Sequence, residues 1–314
     1  MNRFAFIGKR LAATIPLMAG VVLAVFLLLQ VTPGDPVRQI VGLRASESDL
    51  AEARAHLGLN DNVAVQYGRY LGQVATGDLG YSYKSRQRVT DMIGERLEVT
   101  LWLLTVSSIF AVAIAVPLAI RSARRPGRLA DHTVRIVGTV GLAMPAFWVG
   151  VMLLLVVALP TGWFPAGGFG NTPVEKLRSI FLPAVALAIG MAPVLIRSLR
   201  VAIGDVLKSE QVATARSMGL SEGRIMRKFV LRNACAPSVT ILALEAGYLL
   251  FGAVVIETTF ALPGLGQGLV LAARSRDLTA VQGYTLVFAV AVVAIFLLSD
   301  VVTAMLDPRV EISS

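Results

Sequence analysis

Six apolar runs, each about twenty residues long, recur along this chain, and short basic segments separate most of them. A bilayer core holds no water to satisfy a bare backbone, so it is crossed by helices of about 20 apolar residues. This pattern predicts an all-α polytopic membrane protein with six transmembrane helices. Their expected spans are residues 11–31, 100–120, 134–159, 180–203, 239–262 and 284–305. Only 16% of the 314 residues are charged, and 55% are hydrophobic, a balance that argues against a soluble domain of this length.

The charge that remains is distributed unevenly. Arg3, Lys9 and Arg10 precede the first run, and Arg121, Arg124, Arg125 and Arg128 follow the second. After the fourth come Arg197, Arg200, Lys208, Arg216, Arg224, Arg227, Lys228 and Arg232. The short intervening loops carry only Lys176 with Arg178, or Arg274 with Arg276, and the long segment 32–98 is nearly charge-balanced and escapes the charge rule. By the positive-inside rule, both termini and the stretch 205–236 are cytoplasmic. The net charge of +9 therefore reads as topology beside anionic membrane lipid, and no nucleic-acid partner is expected. The first run exceeds a signal-peptide core and lacks a small-x-small cleavage site, so a retained anchor is expected. With one cysteine, Cys235, and two histidines, His56 and His132, neither an internal disulfide nor a zinc site is expected. No catalytic or metal residue is assigned.

These boundaries divide the chain into an N-terminal segment with the first span (1–31), an extracytoplasmic lobe (32–98), a five-helix core (99–306) and a cytoplasmic tail (307–314). In the lobe, TPGDP (32–36) is turn chemistry. Ser46 is placed to cap a helix running to about Leu57 and stopped by Gly58, and a second helix is expected over 63–75. GDLGYS (77–82) breaks it. Val89, Met92, Ile93 and Leu97 then form an apolar stripe expected to lie along the outer interface.

Within the core, Pro145 follows Gly138 and Gly141, and Pro183, Gly190 and Pro193 are expected to break the fourth span. Gly247 and Gly252 thin the fifth. Their clustering suits helices that line a path and rock. Intramembrane charge is costly, which singles out Glu245, Glu257, Arg135 and Asp300. Arg135 and Asp300 fall near the inner ends and read as solvated or ion-paired. Glu257 lies near the outer end. Glu245 lies deeper. It either faces the path and contacts cationic substrate ends, or is a protonated carboxyl bonded between helices.

The basic stretch has its own pattern. A helix over 205–218 presents Val206, Val212, Ala213, Ala215 and Met218. Gly219 supplies a left-handed stop, and Ser221 is placed to cap a second helix with the stripe Ile225, Met226, Phe229 and Val230. Pro237 then opens the fifth span. A short apolar face flanked by charge fits docking into a groove of a partner, or rest on a membrane surface.

TARSMGLSEGRIMRKFVLRNACAP (214–237) resembles the cytoplasmic signature loop of ABC importer permeases, most closely the dipeptide/oligopeptide/nickel family. Aligned on Gly219, the acidic first position of that motif falls on Ala213 and its alanines on Thr214 and Ala215, with Glu210 the nearest upstream acid. HLGL (56–59), QYGRYL (66–71), GDLGYS, RLEVTLWL (96–103), MPAFWVG (144–150), WFPAGG (163–168), GAVVIETTFALPGLGQGLV (252–270), RDLTAVQG (276–283) and LDPR (306–309) extend the resemblance over almost the whole chain.

The resemblance implies the type I ABC importer permease fold. It also implies a second permease subunit, a paralogue in the family pattern, two ATP-binding subunits that hold ATP and Mg, and an external substrate-binding protein. Ala213, Thr214, Ala215, Arg216, Met218, Gly219, Leu220 and Ser221 would couple the permease to an ATPase subunit, and Glu257, inside the matching word 252–270, would have a gating or structural role. This chain has no G-x-x-x-x-G-K-[ST] sequence to cradle ATP, so no cofactor is expected on it and energy must come from a partner. The expected substrates are peptides, with nickel or another small solute as the alternative. An ion-coupled transporter or channel would show paired broken helices and inverted repeats. A membrane-embedded enzyme would cluster polar groups at one pocket, whereas His56 and His132 fall on opposite membrane faces in this topology.

Overall fold

The apolar runs fold as helices, and the interruptions fall where the backbone loses a donor or turns left-handed. The computed structural model describes residues 3–31, 37, 46–56 and 58–306. The TPGDP turn and the tail 307–314 lie outside the described residues. The chain divides into two units, Met1–Glu98 with Pro263–Val293, and Val99–Leu262 with Ala294–Ser314.

The first unit holds α1 (Arg3–Val31), α2 (Glu47–His56) and α3 (Val63–Ala75). α2 ends at Gly58, whose φ of +63° provides the stop expected there. The Asn62 side chain accepts from the Ala64 amide at 2.9 Å and starts α3. α3 packs on α1: the rings of Tyr67 and Tyr70 lie 5.5 and 5.9 Å from that of Phe26. Tyr67 Oη also donates to the Ala19 carbonyl at 3.0 Å. Burial between these helices pushes the Tyr70 phenol up to about 12.

The lobe is not wholly helical. β1 (Tyr81–Ser82) pairs antiparallel with β2 (Gln87–Arg88), Tyr81 opposite Arg88. The cause is local: Gly77, Gly80 and Arg86 have φ of +79°, +86° and +56°, which a helix cannot contain. An added Cβ at Gly80 would stand 2.8 Å from Thr279 Cγ2. Ser82 Oγ hydrogen-bonds the buried Asp277, whose other oxygen accepts from the Ala280 amide at 3.1 Å. That amide belongs to the first turn of α12 (Leu278–Leu306), which follows α11 (Leu265–Arg274).

α4 (Val89–Arg124) is one 36-residue helix. Val89 and Ile93 are buried in the first unit, so this part of the stripe expected at the outer interface is core, while Leu97 stays exposed.

The second unit is built around α7 (Pro173–Leu207), opened by a capping box between Thr172 and Glu175. Contrary to expectation, Pro183 and Pro193 do not break it. Pro183 sits among Leu182, Ala184 and Ala186, all buried, and packing holds the helix despite the missing donors. The third apolar run behaves differently. α5 (Leu129–Ala143) and α6 (Ala146–Leu153) meet at 96° across Met144 and Pro145. Both residues are extended, as a pre-proline residue prefers, and both are exposed, so nothing enforces helix through them. A π-helical turn, Leu154–Ala158, and a last turn, Leu159–Thr161, complete that run.

α5 approaches α7 through its glycines: a Cβ on Gly141 would meet the Ile189 carbonyl at 3.2 Å, and one on Gly138 would meet Pro193 Cβ at 3.4 Å. α10 (Leu231–Thr259) packs along α7 on its other side, where a Cβ on Gly252 would lie 3.1 Å from Leu187 Cδ2. Among the described residues, four helices are long and apolar enough to cross a membrane, and the bent α5–α6 pair makes a fifth if it counts as one span. α1 carries the apolar stretch Ala12–Leu27 within its 29 residues.

Candidate functional site

Between α7 and α10 the chain makes an elbow. α7 runs on to Leu207, two residues past the expected start of the elbow helix at 205, so the helix expected over 205–218 is in fact the shorter α8 (Glu210–Ser217). Gly219, at φ +74°, then turns the chain. Its amide donates to the Arg216 carbonyl at 2.9 Å, and the Leu220 amide donates to the Ala215 carbonyl at 3.2 Å. This is a Schellman closure, which a left-handed residue makes possible. An added Cβ at Gly219 would meet nothing within 4 Å, so it is the backbone angle that calls for glycine.

Ser221 occupies the expected cap position of α9 (Glu222–Ile225), but its side chain makes no capping bond; its carbonyl accepts from Arg224 and Ile225 instead. Arg216 and Glu222 close the elbow from outside, Nε to Oε1 at 2.7 Å and a second guanidinium nitrogen to Oε2 at 3.3 Å. The hydrogen bond from Arg216 holds the Glu222 carboxyl below its usual range, and the same bond raises Arg216.

Of the apolar stripes expected to face a partner groove or a membrane surface, most members point inward, while Ala213 and Met218 stay outside. Val212, Ala215, Ile225, Met226 and Val230 are all buried in the core of the second unit, with Phe229 and Leu220 half-buried. The reason is that α8 and α9 lie against the end of that core, which is the nearest apolar surface available. What stays outside is Ala213, Thr214, Arg216, Met218, Gly219 and Ser221, with Met218 73% exposed at the tip. Of the eight residues singled out in sequence, Ala215 and Leu220 therefore support the elbow, and the other six form its outer surface.

The elbow leaves by an unusual route. A π-helical turn, Met226–Val230, carries α9 directly into α10. Helix runs unbroken from Leu231 through position 237, so Pro237 lies inside α10, directly ahead of the apolar stretch Ser238–Thr259 that it was expected to open.

The two glutamates of α10 are not brought together. Twelve residues of helix separate them by about 18 Å. Glu257 is fully buried and accepts from Thr100 Oγ1 of α4 at 2.6 Å. Glu245 is half-buried.

The sequence reading missed one cluster. Asp131, in the first turn of α5, is fully buried. Arg200 of α7 donates to both its oxygens, Nε to Oδ1 at 2.7 Å and the terminal nitrogen to Oδ2 at 3.0 Å. Ser122 Oγ of α4 donates to Oδ1, and the Gly127 amide donates to Oδ2 at 2.9 Å. Arg135 stands 3.5 Å from the same carboxylate, the ion pair expected for it, and contacts His132 Nδ1 at 3.0 Å. The signal was present as an acid directly after a run of arginines. Counting Arg200 only as a topology marker concealed its partner. Among the described residues, no group of three or more His, Cys, Asp or Glu is placed to hold a metal ion.

Residues 115–312 match the family described as binding-protein-dependent transport system inner membrane component, and residues 1–104 match the N-terminal model of the same membrane component. The chain is 36% identical over 313 residues to the oligopeptide transport system permease protein AppB of Bacillus subtilis, covering 98% of this chain and 99% of that one. It is 35% identical over 306 residues to the glutathione transport system permease protein GsiC of Salmonella paratyphi A, covering 98% of each. A putative peptide transport system permease of Brucella abortus is 36% identical over 310 residues, covering 98% of this chain and 99% of that one.

Among solved structures, an inward-facing conformation of the MetNI methionine ABC transporter superposes with a TM-score of 0.58 at 19% identity, over 69% of this chain and 96% of that one. That likeness shows the fold. The chain belongs to the binding-protein-dependent transport system inner membrane component family. It is a multi-pass ABC importer permease, the membrane-spanning part of such a system and not its ATPase.

Proposed function

We propose that this permease forms half of a path for peptides and that its elbow receives the stroke of an ATP-binding subunit. The closed geometry of the elbow carries the reading: a Schellman turn and a two-point ion pair fix a short segment whose ends continue into α7 and α10. A segment held at both ends passes a push to both helices. Support for peptides comes from the relatives, which are named as transporting oligopeptides and glutathione, itself a short peptide.

In this reading α1 and the α5–α6 pair each count as one span, which gives six, with both termini and the elbow in the cytoplasm. A paralogous permease, two ATP-binding subunits carrying ATP and Mg, and an external binding protein complete the transporter. Glu245 faces the path and meets cationic peptide ends, while Glu257 is a structural group fixed to α4 through Thr100.

The test is a single cysteine at Met218→Cys, in a chain with Cys235→Ser, in the assembled transporter. Cross-linking to an ATP-binding subunit, and labelling only from the cytoplasmic side, are the expected results. Labelling from outside would end the proposal.

A further inference from the structure

The cluster around Asp131 has no part in turning the elbow, yet it sits where the elbow's motion must enter the membrane. Arg200 lies on α7 seven residues before its last residue, Leu207, which is about 10 Å along the axis. Its guanidinium grips both oxygens of Asp131, at 2.7 and 3.0 Å. Asp131 belongs to α5, and Ser122, which donates to Asp131 and accepts from Arg200 Nε at 3.0 Å, belongs to α4. Gly127, in the connection between α4 and α5, adds a fourth donor. One carboxylate thus gathers the elbow-side ends of three helices.

The contact is geometrically demanding. The Asp131 side chain is 1% exposed and that of Arg200 is 26% exposed. A two-point guanidinium–carboxylate bond resists rotation as well as separation. Removing Arg200 leaves a buried carboxylate without its main partner, and removing Asp131 leaves a guanidinium that only partly reaches water, so each member depends on the others. The other groups facing it are Arg135, at 3.5 Å from Asp131, and His132 beside Arg135.

We infer that Asp131 is a positioning residue that clasps the elbow-side ends of α4, α5 and α7 into one rigid body, so that a push on the elbow moves three helices together. This rests on the coupling role proposed for the elbow. The clasp fixes only this end. At the far end of α5 the 96° break at Met144 and Pro145 sets α6 on a different course.

The test uses the assembled transporter with Cys235→Ser and spin labels at Arg121→Cys on α4 and Lys208→Cys just past α7, both exposed. Distances are measured without nucleotide and after trapping with ATP and vanadate. In the parent the label distance should change by less than about 2 Å, the range of ordinary packing adjustment. With Asp131→Asn added, it should change by more than that between the two states. A parent distance that changes by about 5 Å, one helical turn, overturns the clasp, as does an Asp131→Asn transporter whose distance stays constant.

A purely structural role would lower thermal stability in Asp131→Asn without making the distance depend on nucleotide. If Asp131→Asn does not assemble, Arg200→Lys keeps the charge but loses the two-point grip, and the same criterion applies. Failure of both to assemble leaves only a folding role and rejects the inference. The Met218→Cys cross-link is an independent control: its loss rejects the coupling role, whereas a flexible α4–α7 distance with that cross-link intact rejects the clasp alone.

Discussion

α7 reaches the elbow with its end gripped by Asp131 and Ser122, whereas α10 leaves the elbow through five residues of π-helix. The two arms flank the same turn but are held by different physics. On the α7 side, buried charge fixes angle and distance. On the α10 side, one extra residue per turn breaks the regular pattern of bonds, and apolar packing of Ile225, Met226 and Val230 secures it. π-helical turns of this kind often accompany function. The contrast suggests a stiff arm that carries motion inward and a compliant arm that absorbs the mismatch.

The largest effect should come from the stiff arm. Asp131→Ala leaves Arg200 without its buried acceptor and should destabilise the protein by about 3 kcal/mol, the low end for a broken buried pair because Arg200 keeps some contact with water. Thermal unfolding of the purified chain in detergent would show it. An unchanged midpoint would erase the distinction between the arms.

The turn itself comes next. Gly219→Val places a β-branched residue at φ +74° and should cost about 1–2 kcal/mol of local strain. Peptide uptake by the assembled transporter should fall, while the amount of permease recovered in membranes stays near the parent level. Full uptake would mean that the elbow's shape is not used.

On the compliant arm, deleting Lys228, which is exposed, removes the extra residue and should restore α-helical bonding over 226–230. Amide exchange there should slow by about tenfold if the turn is a weak point. Exchange that is already as slow as in α7 would remove the asymmetry.

The smallest effect concerns the outer clip. The carboxyl of Glu222 is held below its usual range by Arg216, so its contribution is complete above the ordinary value of 4.5 and fades as pH falls through the lowered one. Exchange at Leu220 and Arg224 should therefore be indifferent to pH between 7 and 5, apart from the intrinsic rate, and accelerate only at lower pH. Glu222→Gln should abolish that acid dependence. Raised salt should weaken the clip, because both side chains are exposed.

Much of this was legible in the chain. The apolar runs located every long helix of the second unit, and Gly58 and Gly219 declared their left-handed turns. The prolines were harder. Pro145 ends a helix while Pro183 and Pro193 do not, because the latter lie in α7, which is packed on several sides, and Pro145 is exposed. The apolar stripes of α8 and α9 were read correctly as stripes and assigned to the wrong neighbour. Periodicity shows that a face is apolar but not what covers it.

Residue order alone determined that this chain crosses a membrane, where its helices lie, where glycine must turn it and which family it joins, since each of these depends on local chemistry or on matching words. Only the tertiary structure decided that Asp131 belongs with Arg200, sixty-nine residues away, and that the elbow keeps its apolar side for its own core. Both depend on which helices become neighbours. A buried charge is affordable only beside its partner, and pairing over that distance leaves no periodic trace in the sequence.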